Sequence, residues 1–244
     1  MAGEAEGTKK ESPLERNAVL AKFRLLYDVR DTDGTLVLGD FVQGRPKKLI
    51  LSADKLRPFE TGLLDCLSRT TSLALREGVP LEEFICCWGT PMEHQADLIS
   101  GGSVYAHQIL AYCSRVMQTL DLPPLQEKPV RMPRDDTESL THPIPVPGDQ
   151  LLVYMTLEYS KQDKRILGVY FAMAPERAFT QVMARGMSEA ASFALRYGMP
   201  LEKLVEEWKG SHFGSEGFTP NPDIPFMRSI VDYAARYIES KFLK

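Results

Sequence analysis

Two stretches of the chain, SLALREGVPLEEFICCW at 72–88 and SFALRYGMPLEKLVEEW at 192–208, decide the fold. They align without a gap at an offset of 120 residues, and 9 of their 17 positions are identical. Two similar stretches separated by a long, fixed spacing indicate an internal duplication. The sequence therefore predicts a chain built from two related units.

Each stretch contains the end of one helix and the start of the next. Gly78 and Gly198 suit the left-handed residue that follows a helix, and Pro80 and Pro200 suit the first turn of a new one. Upstream, apolar residues recur at helical spacing in both copies. These matched positions are Leu63, Leu67, Ala74 and Leu75 in the first copy and Met183, Met187, Ala194 and Leu195 in the second.

A third helix and a preceding group of strands complete each unit. Ile109 and Tyr112 match Ile230 and Tyr233 at an offset of 121. Ahead of the helices, VYMTLEY (153–159) alternates apolar and polar residues, which is typical of a half-buried strand. We therefore predict an α+β fold of two tandem, pseudo-twofold related repeats, each an antiparallel β-meander followed by three helices.

The predicted boundaries follow from composition. Residues 1–16 are charged and poor in apolar residues, which predicts a disordered tail. Residues 121–148 contain seven of the 17 prolines and are interpreted as an extended linker. The first, degenerate repeat then covers 17–120 and the second covers 149–244.

Composition excludes several classes of protein. Apolar residues make up 43% and charged residues 25% of the 244, as in ordinary globular proteins. The net charge of −4 lacks the basic surplus of a generic nucleic-acid binder, so a nucleic-acid partner is disfavoured. No stretch predicts a membrane span or a signal peptide, and the four cysteines show no CxxC spacing, so we expect a cytoplasmic protein with reduced thiols.

The second half resembles the TSCPD domain found near the C-terminus of adenosylcobalamin-dependent (class II) ribonucleotide reductases. The resemblance covers about 149–243 and rests on SFALRYGMPL (192–201), GFTPNPDIP (217–225), SIVDYAARYI (229–238) and KFL (241–243). The first half resembles the same domain more weakly. It keeps the helix-ending motif but has GTPMEHQADLISGG (89–102) in place of GFTPNPDIP.

The resemblance implies a function without implying catalysis by this chain. Such a reductase needs a barrel of several hundred residues, radical-bearing cysteines and a redox cysteine pair, which a chain of 244 residues with no cysteine after Cys113 does not supply. The chain resembles the shorter partner of a split class II reductase. This predicts a non-catalytic accessory protein that docks on a separate catalytic chain, with adenosylcobalamin bound by that partner and no cofactor bound by this chain alone.

The alternative function is an independent nucleotide-binding protein, such as a phage protein, that uses a cleft between the two repeats. A homodimer is also left open. The two hypotheses differ in the partner: a catalytic reductase chain for the first, a free small ligand for the second.

The loop SHFGSEGFTPNPDIP (211–225) is the candidate ligand or partner site. We expect a helix to begin near Pro225, and the free N–H groups of a helix N-terminus can bind a phosphate. In the structural alternative, Asn221 or Asp223 caps that helix. A third interpretation makes Phe218 an exposed anchor for a partner. The candidate residues are Ser211, His212, Ser215, Phe218, Thr219, Asn221 and Asp223.

Other conspicuous residues are interpreted as structural. The four histidines never fall at metal-ligand spacing, so no metal site is predicted. Arg76 and Arg196 precede the helix-ending glycines, where a cation is favoured, and the basic turn GRPKK (44–48) is expected to be solvated. The adjacent thiols of Cys86 and Cys87 are expected to be buried.

Overall fold

The computed structural model describes residues 18–27, 30–89, 103–125, 129–133, 136–148, 151–174 and 178–243. The predicted tail (1–16) and nearly all of the 89–102 loop lie outside these ranges. The described residues form nine strands and six α-helices, so the prediction of a mixed α+β fold is confirmed.

The first half consists of a small sheet followed by helices. Its sheet has the order β3-β2-β1-β4, with β4 parallel to β1 and the other pairs antiparallel. The elements are β1 (Val19–Tyr27), β2 (Arg30–Gly39), β3 (Lys48–Ala53), α1 (Pro58–Arg76), α2 (Leu81–Trp88), β4 (Ser103–Tyr105), a 3-10 turn (Ala106–Gln108) and α3 (Ile109–Gln118).

The second half presents its strands and helices in the same order. Its antiparallel sheet has the order β5-β6-β7, and a two-stranded hairpin of β8 and β9 precedes the last helix. The elements are β5 (Thr137–Ile144), β6 (Leu152–Ser160), β7 (Ile166–Ala174), α4 (Ala178–Arg196), α5 (Leu201–Trp208), β8 (Gly217–Phe218), β9 (Phe226–Met227) and α6 (Ile230–Phe242).

The helix ends predicted at the two glycines are confirmed. Gly78 has φ +97° and Gly198 has φ +90°, which is the left-handed conformation. The amide of Val79 donates to the carbonyl of Ala74, and that of Met199 donates to Ala194, each at 3.0 Å. These bonds form the Schellman arrangement that satisfies the last carbonyls of a helix.

Serine side chains attach the long helix of each half to the edge strand of its sheet. On α1, Ser72 and Ser68 accept from the amides of Leu49 and Leu51 at 3.0 and 2.9 Å. On α4, Ser192 and Ser188 accept in the same way from the amides of Val169 and Phe171, both at 3.1 Å. Edge-strand amides that would otherwise lack a partner are thereby satisfied inside the protein.

The two halves share one core because α1 packs directly on α4. A Cβ atom added at Gly186 of α4 would lie 3.0 Å from side-chain carbons of both Leu67 and Leu110. Trp208 of α5 is 1% exposed, and its indole N–H donates to the hydroxyl of Thr70 on α1 at 2.8 Å. These contacts join α1 of the first half to α4 and α5 of the second.

The range predicted as linker contains a strand, β5 (Thr137–Ile144), and the prediction is corrected there. Pro143 can lie in it because β5 is an edge strand, where a missing amide N–H costs no ladder bond. The preceding segment is fastened to both halves. Arg196 donates to the carbonyl of Met132 at 2.9 and 3.0 Å, and Arg45 donates to that of Pro123 at 2.6 Å.

Three further expectations about individual residues change. Arg45 of the basic turn has a side chain only 15% exposed and pairs with Glu82, while Lys47 donates to the carbonyl of Leu75 at the end of α1. Arg196 is 7% exposed and holds the Met132 segment, a role beyond the helix dipole. Cys86 is exposed, because it lies on the outer side of α2, whereas Cys87 is partly buried.

Candidate functional site

The loop 211–225 begins in contact with the first half of the chain. The hydroxyl of Ser211 accepts from the guanidinium of Arg69 on α1 at 2.9 Å. Phe213 packs on α1 where Gly62 leaves room, because a Cβ atom at Gly62 would lie 2.0 Å from the Phe213 ring. This contact was not predictable from the sequence, because Gly62 lies inside a helix and 151 positions from Phe213.

The rest of the loop forms the β8–β9 hairpin, which internal hydrogen bonds hold in one conformation. The Thr219 amide donates to the carbonyl of Pro225 at 3.0 Å, and its hydroxyl donates to that of Ile224. Asn221 accepts from the Asp223 amide at 3.0 Å through its side-chain oxygen, an Asx turn. Ile224 is 2% exposed and anchors the hairpin in the core.

The expected helix start near Pro225 is wrong. Helix α6 begins at Ile230, with Ser229 as its N-cap accepting from the Asp232 amide at 3.1 Å. Neither Asn221 nor Asp223 caps it, because both lie in the hairpin turn that precedes β9. Because Phe226 and Met227 pair as a strand, the helix begins about one turn later in the sequence than predicted.

A carboxylate already occupies the N-terminal end of α6. Asp232 is fully buried and accepts from the amides of Gly210 and Arg228 at 2.7 and 3.0 Å. It also pairs with Arg236, four residues later on the same helix, at 3.0 Å. This internal anion takes the place where a phosphate was considered, so the helix terminus offers no site for one.

The hairpin presents an aromatic pair to the surface. Phe218 is 81% exposed and Phe226 is 40% exposed, and their rings meet edge to face with centroids 5.4 Å apart. Of the other predicted site residues, Ser215 is buried and donates to the carbonyl of Phe213 at 3.3 Å. His212 and Glu216 form an exposed pair on the opposite side of the turn.

A cluster missed by the sequence analysis lies behind the hairpin. The Asn221 amide donates to the hydroxyl of Tyr233 at 2.8 Å, and that hydroxyl is hydrogen-bonded to Nε2 of His142 at 3.0 Å. His142 also stacks on Tyr237, with ring centroids 3.9 Å apart. These bonds join β5, α6 and the hairpin.

Burial sets the protonation of this cluster. Removal from water, reinforced by the nearby ammonium of Lys241, lowers the pKa of His142 below its ordinary value. Burial also raises the pKa of Tyr233, so the neutral phenol is favoured. A cleft of about 440 Å³ opens beside these rings, with Lys241 and Asp223 at its rim. The neighbouring Tyr233 and Tyr237, spaced i, i+4 on α6, were the available sequence signal.

Three of the thiols, those of Cys66, Cys87 and Cys113, are poor nucleophiles. Burial raises the pKa of Cys66 to about 11 despite the nearby Arg69, and it raises that of Cys113 to about 12. Burial and the carboxylate of Glu189 raise the pKa of Cys87 to about 12 as well. Within the ranges that the structure describes, no three His, Cys, Asp or Glu side chains are grouped so that they could hold a metal ion.

The comparisons with known proteins concern the half of the chain that carries this site. Residues 127–242 match the TSCPD domain family. A vitamin B12-dependent ribonucleotide reductase of Rhodopirellula baltica is 32% identical over 122 residues, which is 48% of this chain and 11% of that relative. Reductases of the same name from Streptantibioticus cattleyicolor and Streptomyces avermitilis are each 34% identical over 90 residues, covering 15% and 9% of their lengths.

The similarity is therefore to a small part of much longer reductases. No solved structure matches the chain. Among the helices of the described ranges, none has the length and apolar character needed to cross a membrane. The hairpin, α6 and the His142 cluster all lie inside the segment that is similar to the TSCPD domain.

Proposed function

We propose that this chain is a non-catalytic accessory protein of class II ribonucleotide reduction, which docks on a separate catalytic chain. The observation that carries the proposal is the match of residues 127–242 to the TSCPD domain, together with similarity to a small part of B12-dependent reductases. In this proposal the catalytic chain binds adenosylcobalamin and nucleotide, and this chain supplies a docking surface.

The hairpin is the docking surface that the geometry favours. Its exposed Phe218 projects from a turn fixed by five internal hydrogen bonds and by buried Ile224. A rigid turn loses little conformational entropy when a partner binds, so more of the contact energy is available for affinity. Exposed aromatic residues of this kind dominate binding energy at protein interfaces.

The test is a pull-down with the class II catalytic chain encoded in the same genome. Replacing Phe218 by Ala should weaken capture at least roughly tenfold, because an anchor aromatic contributes about 2 kcal/mol. The matched control is Leu20→Ala, which removes a side chain 58% exposed on β1, far from the hairpin in the fold. Both variants should melt like the unchanged protein, since neither side chain is buried.

Absence of any complex with that catalytic chain would sink the accessory function. Equal capture of the Phe218→Ala variant and the unchanged protein would instead move the docking surface away from the hairpin. A drop in melting temperature that matches the loss of capture would show that Phe218 supports the fold.

We also propose that the two halves are pseudo-twofold repeats. If a pseudo-twofold axis relates the halves, every contact between them should occur twice. A contact between residue i of the first half and residue j of the second should recur between residues i+120 and j−120. Lys203 donates to Glu77 at 2.6 Å. The equivalent residues are Glu83 and Tyr197, and Tyr197 donates to Glu83 at 2.6 Å. Arg69 donates to Glu207 at 2.7 Å, and the equivalent residues, Glu189 and Cys87, are also hydrogen-bonded to each other. The matching serine bonds of α1 and α4 support the same relation.

A further inference from the structure

A groove of about 380 Å³ lies in the second half, away from the hairpin. Three parts of the fold enclose it: the β6–β7 turn, the helix stop between α4 and α5, and the end of α6. Its walls include Arg165, Gly198, Pro200, Glu202, Phe242 and Leu243. The function proposed above makes no use of this groove.

The corresponding place in the first half is filled by the chain itself. After α3, the segment of Leu122 and Pro123 crosses the β2–β3 turn. The guanidinium of Arg45 donates to the Pro123 carbonyl at 2.6 Å and also pairs with Glu82. Gly44, with φ +75°, lies so close that an added Cβ atom would be 3.1 Å from the Pro123 ring.

The residues that hold this segment recur around the groove of the second half. Arg45 and Glu82 correspond to Arg165 and Glu202 at an offset of 120, and the helix-ending Gly-x-Pro is repeated at 198–200. Leu122 after α3 corresponds to Leu243 after α6 at an offset of 121. The second half thus keeps the arginine, the glutamate and the helix end that surround the segment in the first half, and Leu243 takes the place of Leu122.

The guanidinium that would hold the occupant is exposed. The side chain of Arg165 is 57% exposed, against 15% for Arg45. It pairs with Asp163 of its own turn at 3.2 Å and contacts the sulfur of Met132 at 3.4 Å. A guanidinium has five N–H donors, so these contacts leave donors for a backbone carbonyl.

Position 164 marks a local difference. Lys164 stands where the first half has Gly44, and both have positive φ, +58° and +75°. The Lys164 ammonium pairs with Glu138 at 3.1 Å and lies over the Tyr159 ring. Contacts with β5 and β6 therefore engage Lys164, and Arg165 is the cation that would bind a ligand in the groove.

We propose that this groove binds an extended, proline-containing peptide segment of a partner protein. A backbone carbonyl of the segment accepts from Arg165, and an adjacent proline ring lies against the β6–β7 turn, as Pro123 lies against the β2–β3 turn. Such a segment keeps an extended conformation before binding, which lowers the entropic cost of recognition. The proposal rests on the repeat relation and goes beyond the hairpin.

The probe is a capped hexapeptide with this chain's own sequence LDLPPL (120–125), titrated into the full-length protein and followed by calorimetry and methyl NMR. We expect saturable binding, with shifts at Leu201 and Leu243 of the groove. The Arg165→Ala variant should bind at least about fivefold more weakly. The control Arg24→Ala, which removes an exposed arginine on β1, should bind as the unchanged protein does.

Two results would overturn the proposal: no shift of groove resonances at millimolar peptide, or undiminished binding by a folded Arg165→Ala variant. A peptide with both prolines replaced by glycine should bind more weakly, and equal binding would also contradict it. The Phe218→Ala variant should retain peptide binding. Failure of the reductase pull-down with intact peptide binding would therefore remove the accessory function and leave the groove proposal standing.

Discussion

His142 links three elements through one side chain, although the sequence places it in a proline-rich stretch. Its Nε2 is hydrogen-bonded to the hydroxyl of Tyr233, which accepts from the Asn221 amide of the hairpin. A protonated imidazole would be a second donor toward this hydroxyl. The bonding pattern and burial therefore favour the neutral ring, in line with its lowered pKa.

We expect stability to fall in mild acid because of this residue. Above about pH 6.5 the imidazole is neutral in both the folded and the unfolded state, so it adds no pH dependence. Below that value the unfolded state binds the proton first, because burial lowers the folded-state pKa, and acid favours unfolding. Urea unfolding at pH 7.5 and 5.5 measures the loss. Lys241 and Asp223, which face the ring, are unchanged in the variants used.

The His142→Gln variant should lose part of this acid sensitivity while being less stable at pH 7.5. The His107→Gln variant is the control, since His107 is exposed on the 3-10 turn of the first half. If His142→Gln and the unchanged protein lose equal stability between the two pH values, the pH dependence has another origin.

The helices and their ends were predictable because they depend on local chemistry. Gly78 and Gly198 end their helices in a left-handed conformation, in which a residue with a side chain would be strained. Leu63 and Met183 belong to the apolar residues at helical spacing that identify the buried face of each helix. The start of α6 was misplaced, because the sequence did not reveal that Phe226 and Met227 pair as a short strand with Phe218 and Gly217. Contacts such as Phe213 on Gly62 depend on tertiary packing, which local patterns do not contain.

The serine bonds to the edge strands provide a test of the repeat relation at the level of single elements. Ser72→Ala and Ser192→Ala each leave one buried edge-strand amide, of Leu49 or Val169, without an acceptor. Each should lower the free energy of unfolding by about 1–3 kcal/mol. Chemical denaturation measures both, and similar losses are expected if the two positions are equivalent.

Ser52→Ala is the control for these two variants. The Ser52 hydroxyl on β3 is hydrogen-bonded to that of Thr35 on β2, and this bond is exposed to solvent. It should change the free energy of unfolding by less than about 0.5 kcal/mol. A large loss for Ser72→Ala with none for Ser192→Ala would show that the two halves use these bonds differently.

At the scale of the whole molecule, the two halves are connected by buried contacts of several kinds. Phe84 of α2 meets Phe193 of α4 edge to face at 5.5 Å, and Trp208 bonds to Thr70. Glu83 accepts from both Tyr197 and Arg131, so the segment before β5 joins the same interface. Neither half buries its long helix without the other, and the chain should behave as one folding unit.

We therefore expect one cooperative unfolding transition for both halves. The chain has two tryptophans, Trp88 in α2 and Trp208 in α5, which give one buried fluorescent reporter in each half. In Trp88→Phe and Trp208→Phe variants, the urea midpoint followed by the remaining tryptophan should coincide with the midpoint from circular dichroism of the same variant.

A Thr70→Val substitution leaves the buried Trp208 indole N–H unbonded and should lower stability by about 1–3 kcal/mol. Since the halves are coupled, it should shift the Trp88 and Trp208 transitions equally. If only the Trp208 transition moves, the interface is too weak to couple the halves, and the repeats are independent domains joined by residues 121–136.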